Sequence, residues 1–177
     1  MKQKKEKKNK PYDKTLKYKI MILFKCVRNY FFCLHYPFIR SRNVWTGKPT
    51  GYYSTWYEDI PKGWRIAFGK QFLKDMKKCL KKNHELRSFR FHEIKEKWGR
   101  LCLYCGSATE ETHKLLEKYG DLSEEYCYFC GKPTKYLTQG YELFLCEECF
   151  EKEIQRRSHY LNTPEKIEKF KEECKLK

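Results

Sequence analysis

Residues 65–82 carry the clearest periodicity in the chain. Ile66, Gly69, Phe72, Leu73, Met76, Cys79 and Leu80 recur at three- and four-residue spacing. Lys70, Lys74, Lys77, Lys78, Lys81 and Lys82 fill the other faces. This pattern predicts an amphipathic helix. Residues 89–97 and 101–105 read as strands of a hairpin that turns at Trp98, Gly99 and Arg100. A second helix is predicted over 109–119, with Leu115, Leu116 and Tyr119 inward and Gly120-Asp121 as its stop. A last helix is predicted over 164–174, with Thr163 as N-cap and Pro164 in the first helical position. Residues 20–34 are apolar and aromatic with interspersed cations, which suits a helix docked on the body better than an interfacial one. Residues 36–64 read as a loop, with Pro37, Gly47, Pro49, Gly51, Pro61 and Gly63 as breakers and a dense set of aromatic side chains.

Charge adds an asymmetry. The chain of 177 residues has 39 Lys and Arg against 23 Asp and Glu, a formal +16. Residues 1–42 hold 13 basic and 2 acidic residues, a net of +11, and residues 43–177 hold 26 and 21, a net of +5. The expected attraction to polyanions therefore concerns mainly the N-terminal quarter. Lys outnumbers Arg 30 to 9, a bias that an A/T-rich genome also produces. The length suits one domain with a small module and excludes a large multidomain enzyme.

Ten cysteines raise the question of disulfides. The apolar run 20–24 is short, ends at Lys25 and has no small-residue cleavage site after it, so no signal peptide is expected. Residues 20–34 are too short and too charged to span a bilayer. A reduced, cytoplasmic protein is the expectation, and there paired CxxC motifs read as metal ligands.

Cys127, Cys130, Cys146 and Cys149 form a C-x2-C…C-x2-C pattern with fifteen residues between the pairs, a zinc spacing. Gly131 follows the first pair, where a tight knuckle needs a position free of Cβ. Residues 135–138 and 141–145 flank Gln139-Gly140 as a short hairpin, and residues 150–160 look helical. Cys146 and Cys149 would then sit at a helix start, whose free amides favour thiolates. Knuckle, hairpin and helix in that order suggest a treble-clef-like zinc finger. Four cysteine ligands leave no open position, which marks a structural Zn²⁺ site. Cys102 and Cys105, three apart on a strand, point to opposite faces and are poor joint ligands. A second metal would have to recruit Cys79, His84 or His113.

Other motifs are weaker. Residues 47–51 lack the spacing of a phosphate loop and have Pro49 where Ser or Thr belongs. Glu93 and Lys95 form the Glu-x-Lys of many metal-dependent nucleases, but such sites need a further acidic residue. A solvated strand face is the simpler reading.

Three segments together resemble a known group: residues 61–69 (PKGWRIAFG), residues 94–101 (IKEKWGRL), and the four-cysteine pattern. The chain resembles a family of small uncharacterised proteins from bacteriophages and gut bacteria, over roughly residues 36–150. The family pattern has an upstream Gly-Trp, an IKEKFGxLR-like hairpin and a C-terminal CxxCG…CxxC. Trp98 replaces its usual Phe and Cys102 its usual Arg. The resemblance implies architecture and origin but no activity.

The expectation is thus an α+β chain: a helix-on-hairpin body, a C-terminal treble-clef-like zinc module and a basic N-terminal extension. Its parts are a basic arm (1–19), the body (20–122), the zinc module (123–160) and a C-terminal helix (161–177). The favoured function is a non-enzymatic zinc-binding accessory protein of phage type, acting in the bacterial host cytoplasm. Lys2, Lys4, Lys5, Lys7, Lys8 and Lys10, with Lys74, Lys78 and Lys81, would contact nucleic acid. Trp45, Trp56, Tyr57 and Trp64 would stack on bases or anchor a protein. The alternatives are an adaptor that binds a host protein without nucleic acid, or a nuclease using Glu93 and Lys95.

Overall fold

The computed structural model describes residues 16–43 and 45–176. Helix α1, Leu16–His35, is followed by a 3-10 turn, Pro37–Ile39. Only Asn29 and Cys33 of α1 are buried. Asn29 Nδ2 donates to the Tyr52 carbonyl at 3.0 Å, and half-buried Phe32 packs on the core. The expected docking is therefore confined to the C-terminal half of α1. Leu16, Met21, Leu23 and Phe24, nearer its start, face solvent. Residues 16–19, assigned to the arm from sequence, belong to α1. Among the described residues no helix is long and apolar enough to cross a membrane.

Residues 36–64 are more ordered than a loop reading allows. Bridges join Arg40 to Thr55 and Arg42 to Pro49. Helix α2, Trp56–Asp59, is fastened at its start by the Thr55 amide, which donates to Glu58 at 3.2 Å. Phe38, Ile39 and Ile60 from this stretch are core residues, each 1% exposed.

The long amphipathic helix begins three residues earlier than the periodicity predicts. It runs from α3, Lys62–Trp64, through a π-helical turn, Arg65–Gly69, into α4, Lys70–Lys82. Trp64, Phe68, Phe72, Met76 and Leu80 are all buried. A strict four-residue row drifts about 40° per step on a 3.6-residue helix. A wider π turn opposes that drift, so one row keeps facing the core. Gly69 lies in that turn against Tyr57, whose hydroxyl would have to shift to admit a Cβ.

Strands β1, Phe91–Lys97, and β2, Arg100–Cys105, pair antiparallel, with Trp98 and Gly99 turning at φ 55° and 74°. Both central residues at positive φ make a tight primed hairpin turn. Helix α5, Glu110–Glu124, packs across β2. It does not stop at Gly120 as predicted. Gly120 instead lies against β2, where a Cβ would come 3.0 Å from the Arg100 guanidinium and 3.2 Å from the Leu101 carbonyl. Ser123 Oγ seals the contact by accepting from the Leu101 amide at 2.8 Å. Tyr119 donates to Asp75 at 2.7 Å and so ties α5 to α4. Burial, reinforced by Asp75, raises the Tyr119 phenol far above its ordinary range.

The remaining elements are β3, Tyr136–Leu137, β4, Phe144–Leu145, α6, Glu147–Arg156, and α7, Pro164–Cys174. Helix α6 starts before and ends before its predicted range, while α7 has the predicted bounds and the Thr163 cap. Helix α7 is not a separate appendage. Phe150 of α6 stacks between Tyr136 at 4.1 Å and Phe170 at 5.6 Å, and the chain after α7 bridges to Tyr136 through Lys175. Two hydrophobic cores result, one in the body and one around the cysteines, with Tyr128 packed against both.

Candidate metal centre

Two local structures supply the four thiols. The first is a turn, Cys127 to Gly131, closed by the Gly131 amide donating to the Cys127 carbonyl at 2.9 Å. Gly131 has φ 76°, and a Cβ there would also strike the Gly63 carbonyl at 2.4 Å. The second is the start of α6, where Cys146 is the N-cap and its carbonyl accepts from the Phe150 amide at 2.9 Å. The β3–β4 hairpin joins the two.

The four sulfur atoms lie within 4.8 Å of one another, and Cys130 Sγ is 3.5 Å from Cys146 Sγ. A tetrahedral ion bound at 2.3 Å would need sulfur separations of about 3.8 Å. The observed spacing brackets that value, and all four cysteines are free thiols. The group can hold a metal ion, and among the described residues it is the one cluster that meets that geometry.

The four thiols do not ionise alike. Burial pushes the Cys149 thiol up, and the nearby Cys127 pushes it further. Burial also raises Cys146. At Cys127, amides of Cys146, Cys130 and Phe129 outweigh burial and lower the thiol below its ordinary value. Cys127 is therefore the thiol that ionises most readily, beside thiols that resist ionising next to it. A bound cation reverses that resistance.

The body grips this site. The Gly63 amide donates to the Tyr128 carbonyl at 3.0 Å, and a Cβ on Gly63 would overlap the Cys127 carbonyl at 2.1 Å. Trp64 Nε1 donates to the Tyr126 carbonyl at 2.9 Å, and its ring meets Tyr128 edge-on at 5.6 Å. On the other side Gly99 abuts Phe144, and Glu96 accepts from the Tyr141 hydroxyl at 2.9 Å. Lys132–Glu148 at 2.6 Å and Lys135–Glu147 at 2.7 Å link knuckle and hairpin to the start of α6. Gly63-Trp64 thus meets the cysteine knuckle, and the Trp98-Gly99 turn meets the β3–β4 hairpin, so two distant parts of the body hold the cysteine unit.

No family model, curated protein or solved structure matches this chain.

The other candidate residues fall in different places. Lys2, Lys4, Lys5, Lys7, Lys8 and Lys10 lie outside the described residues. Lys74, Lys78 and Lys81 are exposed on α4. Trp45 is 94% exposed, and Trp56 and Tyr57 are half-buried. Trp64 has no exposed surface, so it offers no face to a base and belongs to the core. Glu93 and Lys95 pair with each other at 2.7 Å on the exposed face of β1, and no further ligand joins Glu93 in a metal cluster among the described residues. Cys79 is buried against Thr112, at 3.5 Å, and no second metal cluster forms there among the described residues.

Proposed function

We propose that the protein is a non-enzymatic zinc-binding accessory protein of phage type, working in the host cytoplasm and contacting nucleic acid. The observation that carries the metal part is the convergence of four thiols on one point. A soft, all-sulfur, four-coordinate set suits Zn²⁺ and leaves no position for an activated water. Cysteine knuckle, β3–β4 hairpin and α6 follow one another in the order of a treble clef. Such a site holds structure together, and recognition is left to the surface.

The nucleic-acid part is supported by Lys70, Lys74, Lys78 and Lys81, which form an exposed row along α4, and by the lysine-rich first ten residues. The test is fluorescence anisotropy with single-stranded and duplex oligonucleotides across a salt series. Replacing Lys74, Lys78 and Lys81 by Gln should reduce the slope of log K against log salt by about 2 to 3. Binding with an unchanged slope would remove the α4 row from the interface.

A second reading, an adaptor for a host protein, is favoured by α1, whose Leu16, Met21, Leu23 and Phe24 are 59–73% exposed. Oligonucleotides that fail to bind at low salt would favour it.

A further inference from the structure

Four of the nine arginines of this lysine-rich chain meet in one place. Arg40 and Arg42, from the bridged segment after α1, face Arg87 and Arg90, from the connection between α4 and β1, across a pocket of about 420 Å³. No carboxylate lines it. Arg28, Arg100, Arg156 and Arg157 all have acidic partners within 4.0 Å, whereas among the described residues none of the pocket four does. Glu85, next to the pocket-lining Leu86, and Glu58, which lines a different pocket with Arg28, are already engaged. Glu85 accepts from the Thr109 amide at 2.5 Å and the Thr112 hydroxyl at 2.6 Å, and Glu58 pairs with Arg28 at 2.8 Å.

The pocket is also held ready. Arg40 lies over the Tyr52 ring at 4.6 Å, Arg42 donates to the Gly47 carbonyl at 2.9 Å, and Arg90 donates to the Phe89 carbonyl at 2.5 Å. Each guanidinium has five donors, so one anchoring bond leaves others for a ligand. The Nε–H groups of Arg40 and Arg42 are buried with no acceptor among the described residues. Gathering unneutralised cations is unfavourable, and a polyanion in their midst is the direct remedy. Burial and then the charge of Arg42 push the Arg90 guanidinium below its ordinary value, a consequence of the same crowding.

We propose that Arg40, Arg42, Arg87 and Arg90 form a binding site for a phosphate group. Planar guanidinium forks match phosphate oxygens two at a time. Four of them suit an anion of charge −2 or more better than a single carboxylate. The site is separate from the cysteine cluster and does not depend on the α4 lysines. The phosphate can come from a free small molecule or from a nucleic-acid strand, and the probes distinguish these.

The test is calorimetric titration of the full chain, at constant ionic strength, with inorganic pyrophosphate, a 5′-phosphorylated single-stranded oligonucleotide, and acetate as control. The variants are Arg42→Gln/Arg87→Gln, Arg87→Lys, and Lys74→Gln/Lys78→Gln/Lys81→Gln. Arg87 is exposed, so its single Lys variant tests the site without risk to the fold. At least one phosphate probe should bind, weaken about tenfold or more in the Arg double variant and less in Arg87→Lys. The Lys variant should keep its pyrophosphate affinity. Pyrophosphate binding without oligonucleotide binding assigns a small-molecule source, and leaves the nucleic-acid reading overturned while the pocket stands. Oligonucleotide binding alone, lost in the Arg variants, assigns the strand. Three results overturn the site: neither phosphate probe binds, acetate binds equally well, or both Arg variants bind like the wild type. Oligonucleotide binding lost only in the Lys variant would overturn the pocket and keep the nucleic-acid reading.

Discussion

The body and the cysteine unit solve the same problem with different materials. The body core has 16 buried residues, mostly large: Trp64, Phe72, Met76, Phe89, Tyr119 and others. The cysteine unit has eight, and three of them are the candidate ligands Cys127, Cys146 and Cys149. Its remaining apolar set is chiefly Leu143, Leu145, Phe150 and Ile154, backed by Tyr136 and Phe170. Three of the unit's eight buried residues are thiols gathered at one point rather than large apolar side chains, so we expect the body to rest on burial and the unit to lean on a bound metal and on its seam with the body.

The largest expected effect breaks this comparison directly. A bound structural zinc contributes about 10–16 kcal/mol of apparent folding free energy. Chelation should therefore unprotect the amides of β3, β4, α6 and α7 while those of α4 and α5 stay slow. Hydrogen exchange read by mass spectrometry checks this, and uniform loss across both regions would show a single cooperative unit. The pH response should depend on metal. With metal bound, the ligands are deprotonated in the folded state and protonated in the unfolded state below about pH 8.5. Stability then falls as pH falls. Thermal melts of the metal-bound chain should therefore rise from pH 6 to about pH 8.5, and chelator should abolish that rise.

Next in size is Trp64→Ala, which empties a wholly buried site and leaves the Tyr126 carbonyl without its indole partner. About 3–5 kcal/mol should be lost in denaturant titration. Because Trp64 touches Tyr128 beside the knuckle, metal affinity should weaken too. Gly63→Ala should cost about 1–3 kcal/mol by overpacking, since the Cβ has backbone in its way. Its signature is a larger loss in the cysteine unit than in the body.

The ligand quartet was legible in sequence because a CxxC pair is local, and two pairs fifteen residues apart can close on one ion through a single hairpin. The α7 cap was legible for the same reason: Thr163 and Pro164 act on adjacent backbone. What escaped depends on distant neighbours. Gly120 reads as a stop, but the close approach of Leu101 makes it a helical contact point. Trp64 reads as a stacking or anchoring aromatic, and only its burial beside Tyr126, 62 residues later, shows it to be core. The π turn answers a packing demand that a 3.6-residue period does not contain. The four arginines are unremarkable singly and become a pocket only when residues 40–42 and 87–90 are folded together.

The smallest effect is expected at the surface. Lys74→Gln/Lys78→Gln/Lys81→Gln should change stability by about 0.5 kcal/mol or less, since all three side chains are exposed. A larger change in chemical denaturation would mean that the α4 row supports the fold.

The dependence of the cysteine unit on a metal is tested most directly by native mass spectrometry of the purified full chain. One zinc per chain is the expected result, with none retained by Cys127→Ser/Cys149→Ser. A metal-free chain with the cysteine unit still fully folded would contradict it.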